Sequence, residues 1–171
     1  MKKHNGMRPQ DILILLKILS QGKEDFYLKD LSQQLNISPS EVTESVNRSI
    51  LAGLIAQDKK TVMRQSLYEF IVYGLPYVFP QTPGAIVPGM PTAHSAPPLD
   101  KEFKSNEFYV WPDPKGTIKG QEIEPFHKGQ LEAAKKDIKL YELLALTDTL
   151  RVGKIRERKL AVEELRKRII K

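Results

Sequence analysis

Thirty consecutive residues, 70–99, contain no Asp, Glu, Lys or Arg, and seven of them are proline. Each proline fixes its backbone φ angle and lacks an N–H donor, so the prolines exclude a continuous helix or a central β-strand here. A solvated linker is usually charged or rich in Gly and Ser, whereas this segment carries apolar and aromatic side chains. We therefore expect a long loop that packs across the rest of the protein. The alternative is a groove for a ligand or partner, lined by Tyr73, Tyr77, Phe79 and Trp111.

The composition is that of a globular chain without cysteine. Hydrophobic residues make up 40% of the 171 positions, which is close to the usage of folded domains. The absence of cysteine excludes disulfides, thiolate metal sites and a cysteine nucleophile, and it fits a reducing compartment. The apolar run at residues 12–16 is too short to span a membrane. These features predict a cytoplasmic protein with no membrane partner, no bound metal and no cofactor.

The net charge of +6 is confined to residues 151–171. This segment holds nine Lys and Arg residues against three Asp and Glu residues, whereas residues 1–150 hold 18 of each sign. A basic composition indicates nucleic-acid binding only where the charge is clustered. The cluster therefore marks the C-terminal segment alone, and a function of residues 1–150 has to be argued from other features.

The N-terminal part of the chain shows start and stop signals of helices. Ser38, Pro39 and Glu41 form a capping box with a proline at the first helical position, which predicts a helix that begins there. Val42 and Val46 recur at the spacing of a buried helix face. Helices are predicted over residues 9–20, 26–35, 39–52 and 62–75.

Three helices with a tight turn between the second and third follow the helix-turn-helix plan. Residues 28–55 resemble the helix-turn-helix core of bacterial winged-helix transcription regulators of the MarR and ArsR kind. The matching residues are Leu31, Ser32, Leu35, Asn36, Ile37, Val42, Val46 and the sequence Ala52-Gly53-Leu54-Ile55. The resemblance covers about residues 9–57. It implies a winged-helix-like domain and sequence-specific binding of double-stranded DNA by a repressor or autoregulator.

The rest of the chain is predicted to add a β-hairpin and C-terminal helices. Strand-like runs at residues 107–111 and 117–123 flank a turn sequence, and residues 135–150 form an apolar helix that requires cover on all sides. The fold class is thus mainly α with a small β component. The predicted domains are a helix-turn-helix domain over 1–75, a packed proline-rich loop with the hairpin over 76–130, and C-terminal helices over 131–171.

A helix-turn-helix protein places the helix after the turn, here residues 39–52, in the major groove of DNA. The side chains opposite the buried face would contact the base edges: Ser40, Thr43, Glu44, Asn47 and Arg48. Arg can bind guanine through two hydrogen bonds, Asn can pair with adenine, and Glu can accept from the cytosine amino group. Phosphate contacts are expected from Lys29, Ser38, Lys59, Lys60 and Arg64. The alternative is a protein-binding adaptor on the same fold, without DNA binding.

The basic C-terminal segment has two interpretations. Its apolar stripe predicts a helix that pairs two copies into a homodimer. The stripe consists of Ile155, Val162, Leu165 and Ile169. The cations of the segment could also make a second set of phosphate contacts. These cations are Arg156, Arg158, Lys159, Arg166, Lys167 and Arg168.

A catalytic signature is not evident in the sequence. His94 and Ser95 are adjacent, but no nucleophile elbow, phosphate-binding loop or suitably placed acid accompanies them. We therefore expect a protein that is not an enzyme.

Overall fold

The structure is a computed structural model that describes residues 5–22 and 26–170. Its helices are α1 (Pro9–Gln21), α2 (Leu28–Leu35), α3 (Pro39–Leu51), α4 (Arg64–Glu69), α5 (Leu75–Val78), α6 (Gln130–Lys135), α7 (Ile138–Val152) and α8 (Ile155–Ile169). Its strands are β1 (Ile86–Thr92), β2 (Tyr109–Pro112) and β3 (Ile118–Glu122). A mainly α fold with a small β component is thus confirmed. Within the described ranges, no helix combines the length and the apolar character needed to cross a membrane.

Helix α1 lies at the centre of the protein. Every residue from Asp11 to Ser20 is buried, because α1 packs against α2, α3 and α7. An amphipathic surface helix normally exposes one face, so α1 depends on all these neighbours for its cover. The N-terminal and C-terminal helices therefore share one hydrophobic core.

The turn between α2 and α3 forms as the sequence predicts. Asn36 has a left-handed backbone conformation with φ 53°, which asparagine tolerates better than most side chains. The carbonyl oxygen of Ser32 accepts hydrogen bonds from the amides of Asn36 and Ile37. The Ser38 hydroxyl then accepts from the amide of Glu41 and caps α3. The three predicted N-terminal helices are confirmed as α1, α2 and α3.

A short two-stranded ribbon follows α3. Ile55 and Val62 form an antiparallel bridge. At the tip, hydrogen bonds from the hydroxyl and amide of Thr61 and from the amide of Lys60 reach the Asp58 carboxylate. These bonds hold the pKa of Asp58 below its usual value. The ribbon tip is therefore a hydrogen-bonded turn.

The fourth predicted helix is present but changes its geometry part-way. Helix α4 continues into a π-helical turn, Phe70–Gly74, and then into α5. Pro76 has no N–H and cannot donate to the carbonyl four residues before it, and the amide of Leu75 donates to the carbonyl of Phe70, five residues back. The helix thereby passes the proline and ends at Val78, beyond the predicted end.

The sheet corrects two predictions. β1 lies inside the proline-rich segment and is antiparallel to both β2 and β3, which are parallel to each other. The predicted β-hairpin of residues 107–111 and 117–123 is therefore wrong, since the strands of a hairpin run in opposite directions. The prediction that the prolines exclude a central strand is also wrong, because β1 pairs with both neighbours.

Each half of β1 pairs along one edge only, which is why a strand with prolines can be central. Residues 86–89 pair with β3 and residues 89–92 pair with β2. The carbonyl of Pro88 points away from β3 and accepts from the amide of Asp113 at 3.0 Å. The carbonyl of Pro91 accepts from the hydroxyl of Tyr141 at 2.6 Å, so it points away from β2. Neither proline therefore removes a donor from the sheet.

A buried carboxylate fixes the sheet to α7. Asp148 Oδ2 accepts from Thr92 Oγ1 and Trp111 Nε1, both at 2.7 Å, and Arg151 Nη1 donates to Oδ1 at 3.1 Å. Burial raises the pKa of Asp148, while the charge of Arg151 and the three hydrogen bonds oppose the rise. Trp111 is fully buried, so the idea that it lines an open groove is wrong. Helix α7 is covered along most of its length, as its apolar sequence predicts.

Helix α8 packs on α7 through the stripe that was predicted to pair two copies. Leu165 and Ile169 are fully buried within the chain, and Val162 is half-buried. Ile155 is the member that stays exposed. The predicted dimer interface is corrected for Leu165 and Ile169, because their side chains already belong to the core of one chain. Pairing of two copies through C-terminal helices stays a prediction.

The N-cap residue of α7 is expected to make the free energy of unfolding decrease at acid pH. Asp137 accepts hydrogen bonds from Lys17 Nζ and Ser20 Oγ, both at 2.8 Å, and from the amide of Leu140 at 3.0 Å. Burial acts to raise the pKa of Asp137, but these hydrogen bonds outweigh it and hold the pKa below its usual value. A carboxyl with a lowered pKa stabilises the fold above its unfolded pKa of about 4 and loses this contribution as the pH falls through its folded pKa.

We therefore expect Asp137→Asn to flatten the decline of Tm between about pH 5 and about pH 2, measured by thermal unfolding. The exposed Asp30→Asn variant is the matched control and should keep the wild-type decline. An unchanged slope in Asp137→Asn would contradict the assignment.

Candidate nucleic-acid interface

The outward face of α3 is polar and exposed. Ser40, Thr43, Glu44 and Asn47 lie on it at spacings of three and four residues, and all four are exposed. The opposite face of α3 packs against α1 and α2. The structure thus brings four of the five predicted base-contacting residues onto one surface.

The fifth residue, Arg48, turns inward, and the prediction that it faces a base is wrong. Its exposed fraction is 8%. Nε and Nη2 donate to the two carboxylate oxygens of Asp11 at 2.9 and 2.7 Å, and Nη2 also donates to Glu41 Oε1 at 2.6 Å. Asp11 is fully buried in α1, and a buried carboxylate requires a charged partner. Arg48 supplies that partner and joins α3 to α1.

The ion pairs around Arg48 favour the charged forms of Arg48 and Glu41. The hydrogen bond to Asp11 raises the pKa of Arg48 against the opposing effect of burial. Burial acts to raise the pKa of Glu41, but hydrogen bonds from Arg48 and Gln10 bring it below its usual value. The edge of the guanidinium that would bind guanine is therefore already occupied by Asp11.

The predicted phosphate contacts divide into two groups. Lys29 in the first turn of α2 and Lys59 and Lys60 in the ribbon after α3 are exposed, and Ser38 caps the start of α3. Arg64 is half-buried, and its Nη1 donates to the carbonyl of Ile169 at the end of α8, at 3.0 Å. The prediction for Arg64 is corrected accordingly, since its guanidinium is held by a helix terminus.

Two cations near α3 were missed in the sequence. Arg8 Nη1 lies 3.8 Å from Glu41 Oε1 in the first turn of α3. His127 precedes a second cation, Lys128: burial and the charge of Lys128 lower the pKa of His127, and the charge of Glu41 opposes them. The exposed Lys128 lies between His127 and Gly129, and Gly129 packs against Leu35 at the end of α2.

The position of Lys128 depends on a close contact that has no local sequence signal. A Cβ at Gly129 would lie 2.0 Å from the carbonyl oxygen of Leu35. The absence of a side chain at Gly129 therefore lets the loop before α6 pack against the end of α2. A single sequence does not show that residue 129 meets residue 35.

The cations of α8 are not equivalent. Arg168 donates to Glu142 and Glu164, and Lys167 donates to Glu164 at 2.7 Å. The guanidinium of Arg166 lies over the Tyr68 ring at 6.0 Å from its centre. The remaining predicted cations are exposed in the first half of the helix: Arg156, Arg158 and Lys159.

His94 and Ser95 do not form a base and nucleophile pair. His94 Nε2 lies 2.8 Å from the carbonyl oxygen of Glu107, and a carbonyl oxygen only accepts, so Nε2 carries the proton. It therefore cannot take the proton of the Ser95 hydroxyl, which lies 3.4 Å away. In the ranges that the structure describes, no cluster of three or more His, Asp or Glu residues could hold a metal ion.

Comparisons of the chain with protein-family models, with curated proteins and with solved structures found no match.

Proposed function

We propose that the protein is a transcription regulator that binds double-stranded DNA through a winged-helix-like domain, with α3 in the major groove. The observation that carries the proposal is the exposed polar face of α3. Helix α3 directly follows the left-handed turn at Asn36, and Ser38 caps its first turn. A major groove about 12 Å wide admits one α-helix. The short ribbon after α3 would serve as the wing.

The base contacts would come from short polar side chains. Asn47 can donate to and accept from adenine, Glu44 can accept from the amino group of cytosine, and Thr43 can contact either purine or the thymine methyl. Since Arg48 is engaged by Asp11, the protein would lack the bidentate guanine contact that is commonest among DNA-binding proteins. We therefore expect adenine, rather than guanine, to be the most strongly discriminated base.

Phosphate contacts would surround the helix. The candidates are Arg8, Lys29, Lys59, Lys60 and Lys128. If all five contact phosphates, log K should fall with log salt with a slope of about −4 to −5 for each bound copy. One helix-turn-helix reads only a few base pairs, so specific regulation would place two copies on a palindromic site.

Fluorescence polarisation with labelled duplexes that tile the DNA flanking the protein's own gene tests this function. We expect Asn47→Ala to weaken binding to the preferred duplex by about 10- to 100-fold and to relax the preference at one base pair. The matched control is Asn106→Ala, an exposed asparagine outside α3, which should bind as the wild type does. Binding that is insensitive to salt, or unchanged when Asn47→Ala and Thr43→Ala are combined, would refute the proposal.

The second candidate function is a protein-binding adaptor on the same fold. It is favoured by the charge of α3, whose exposed face carries Glu44 and, with Arg48 turned inward, no cation. A folded wild-type protein that binds none of the flanking duplexes at low salt would favour this function.

A further inference from the structure

A groove separates the helix that passes through Pro76 from the first half of α8. It has a volume of about 490 Å³, which is within the range of protein binding sites. One wall belongs to the π-helical turn and α5, and the other belongs to α8. The residues that carry the argument are Val72, Pro76, Tyr77, Ile155, Arg158 and Val162. We call this site the α5–α8 groove.

Large apolar side chains around the α5–α8 groove are left in solvent. Tyr77 is 84% exposed, the neighbouring Tyr73 is 70% exposed, and Ile155 is 65% exposed. Tyr73 belongs to the π-helical turn, and Tyr77 follows in α5. Adjoining exposed apolar side chains of this size mark interaction sites on soluble proteins.

The charge of the groove has one sign. Arg158 and Lys159 belong to its lining, and none of its described lining residues is Asp or Glu. The cations at the other end of α8 differ, because Lys167 and Arg168 are paired with Glu142 and Glu164. Arg151 also reaches the groove, but its guanidinium is held by Asp148. Two exposed cations thus lie beside an apolar floor.

From these observations we infer that the α5–α8 groove binds an acidic amphipathic helix of a partner protein. The apolar face of such a helix would cover Val72, Val162 and Ile155, and its carboxylates would meet Arg158 and Lys159. Helices commonly bind grooves through apolar anchors at positions i, i+3, i+4 and i+7. The phenol group of Tyr77 would form the opposite rim, where it can both pack and donate a hydrogen bond.

Other occupants fit the groove less well. A second copy in a two-fold arrangement would bring two grooves with the same positive charge into one interface, and like charges repel across an interface. Single-stranded nucleic acid binds by stacking bases on aromatic rings, whereas Val72, Val162 and Ile155 are aliphatic. An acidic amphipathic helix satisfies both the charge and the aliphatic floor.

The site is separate from the proposed DNA-binding face. The last residue of α8, Ile169, contacts Arg64 at the start of α4, and its first residue, Ile155, lines the groove beside Tyr77. A helix of this length spans about 20 Å. None of the described residues that line the groove is among the side chains proposed to contact DNA on and around α3.

Selection of peptides of about 16 residues from a random phage library, with the full chain as bait, tests the inference. We expect the enriched peptides to be acidic and to repeat apolar residues with helical spacing. A fluorescein-labelled synthetic copy of the best peptide should bind about tenfold more weakly to the Arg158→Glu/Lys159→Glu variant and to Tyr77→Ala.

A charge-matched variant distinguishes an effect at the groove from an effect of the net charge of the protein. Lys115→Glu/Lys119→Glu changes the net charge equally at two exposed lysines in and before β3, and it should bind the peptide as the wild type does. Enriched peptides that lack acidic residues, or that bind the groove variants and wild type equally, would overturn the inference. So would displacement of the peptide by oligothymidylate. Because the readout is peptide binding, it is independent of whether α3 binds DNA.

Discussion

Replacing Arg48 by alanine is expected to lower the free energy of unfolding by about 3–5 kcal/mol. The substitution would leave the carboxylate of Asp11 fully buried without its partner and would remove two hydrogen bonds to that carboxylate. It would also release Glu41 in the first turn of α3. The loss should appear as a lower midpoint in urea unfolding with an unchanged m value.

The neighbouring residue provides the control. Asn47 directly precedes Arg48 in α3 and is exposed. Asn47→Ala should change the free energy of unfolding by no more than about 0.5 kcal/mol. The double variant Asp11→Leu/Arg48→Met should recover much of the loss, because it removes both buried charges together. An Arg48→Ala protein as stable as wild type, with normal folding but weakened DNA binding, would return Arg48 to the DNA-contacting face.

Replacing Asp148 by alanine should have an effect of similar size, about 3–5 kcal/mol. It would leave three buried donors without the acceptor that Asp148 provides: Trp111 Nε1, Thr92 Oγ1 and Arg151 Nη1. Buried donors that lose their acceptor carry the full cost of removal from water. The sheet should therefore loosen from α7 before the helical core melts.

Tryptophan fluorescence measures this effect directly. Trp111 is the single tryptophan of the chain and is fully buried, so its emission reports on the sheet. We expect a red-shifted emission for Asp148→Ala under native conditions and a native spectrum for the exposed control Asp100→Ala. An Asp148→Ala protein with native emission and wild-type stability would show that the carboxylate does not anchor the sheet.

Local signals in the sequence were sufficient for the first three helices. The serine cap, the proline at the first helical position and the left-handed Asn36 act within a few residues, and such signals are visible in a single sequence. The exposed positions Ser40, Thr43, Glu44 and Asn47 followed from helical periodicity alone. The part of the candidate site that depends on one helix was therefore predictable.

Contacts between distant segments were not predictable in the same way. Arg48 lies between the exposed and the buried face of α3. Its side chain turns inward only because Asp11, 37 residues earlier, is buried beside it. The prolines of residues 70–99 predicted that no central strand forms there. Strand β1 is nevertheless central, because it pairs with β3 along one half and with β2 along the other. Such a strand uses each edge for half its residues, and no local pattern reports that change.

The burial of α1 determines when the chain can fold during synthesis. The bond between Lys17 and Asp137 joins residues 120 positions apart, and α7 supplies part of the cover of α1. At a translation rate of about 5–20 residues per second, α1 remains incompletely covered for about 6–24 s after it is made. During that interval a nascent chain presents one of its most apolar segments to solvent or to a chaperone, and α1, α2 and α3 reach their final packing only after α7 has been made.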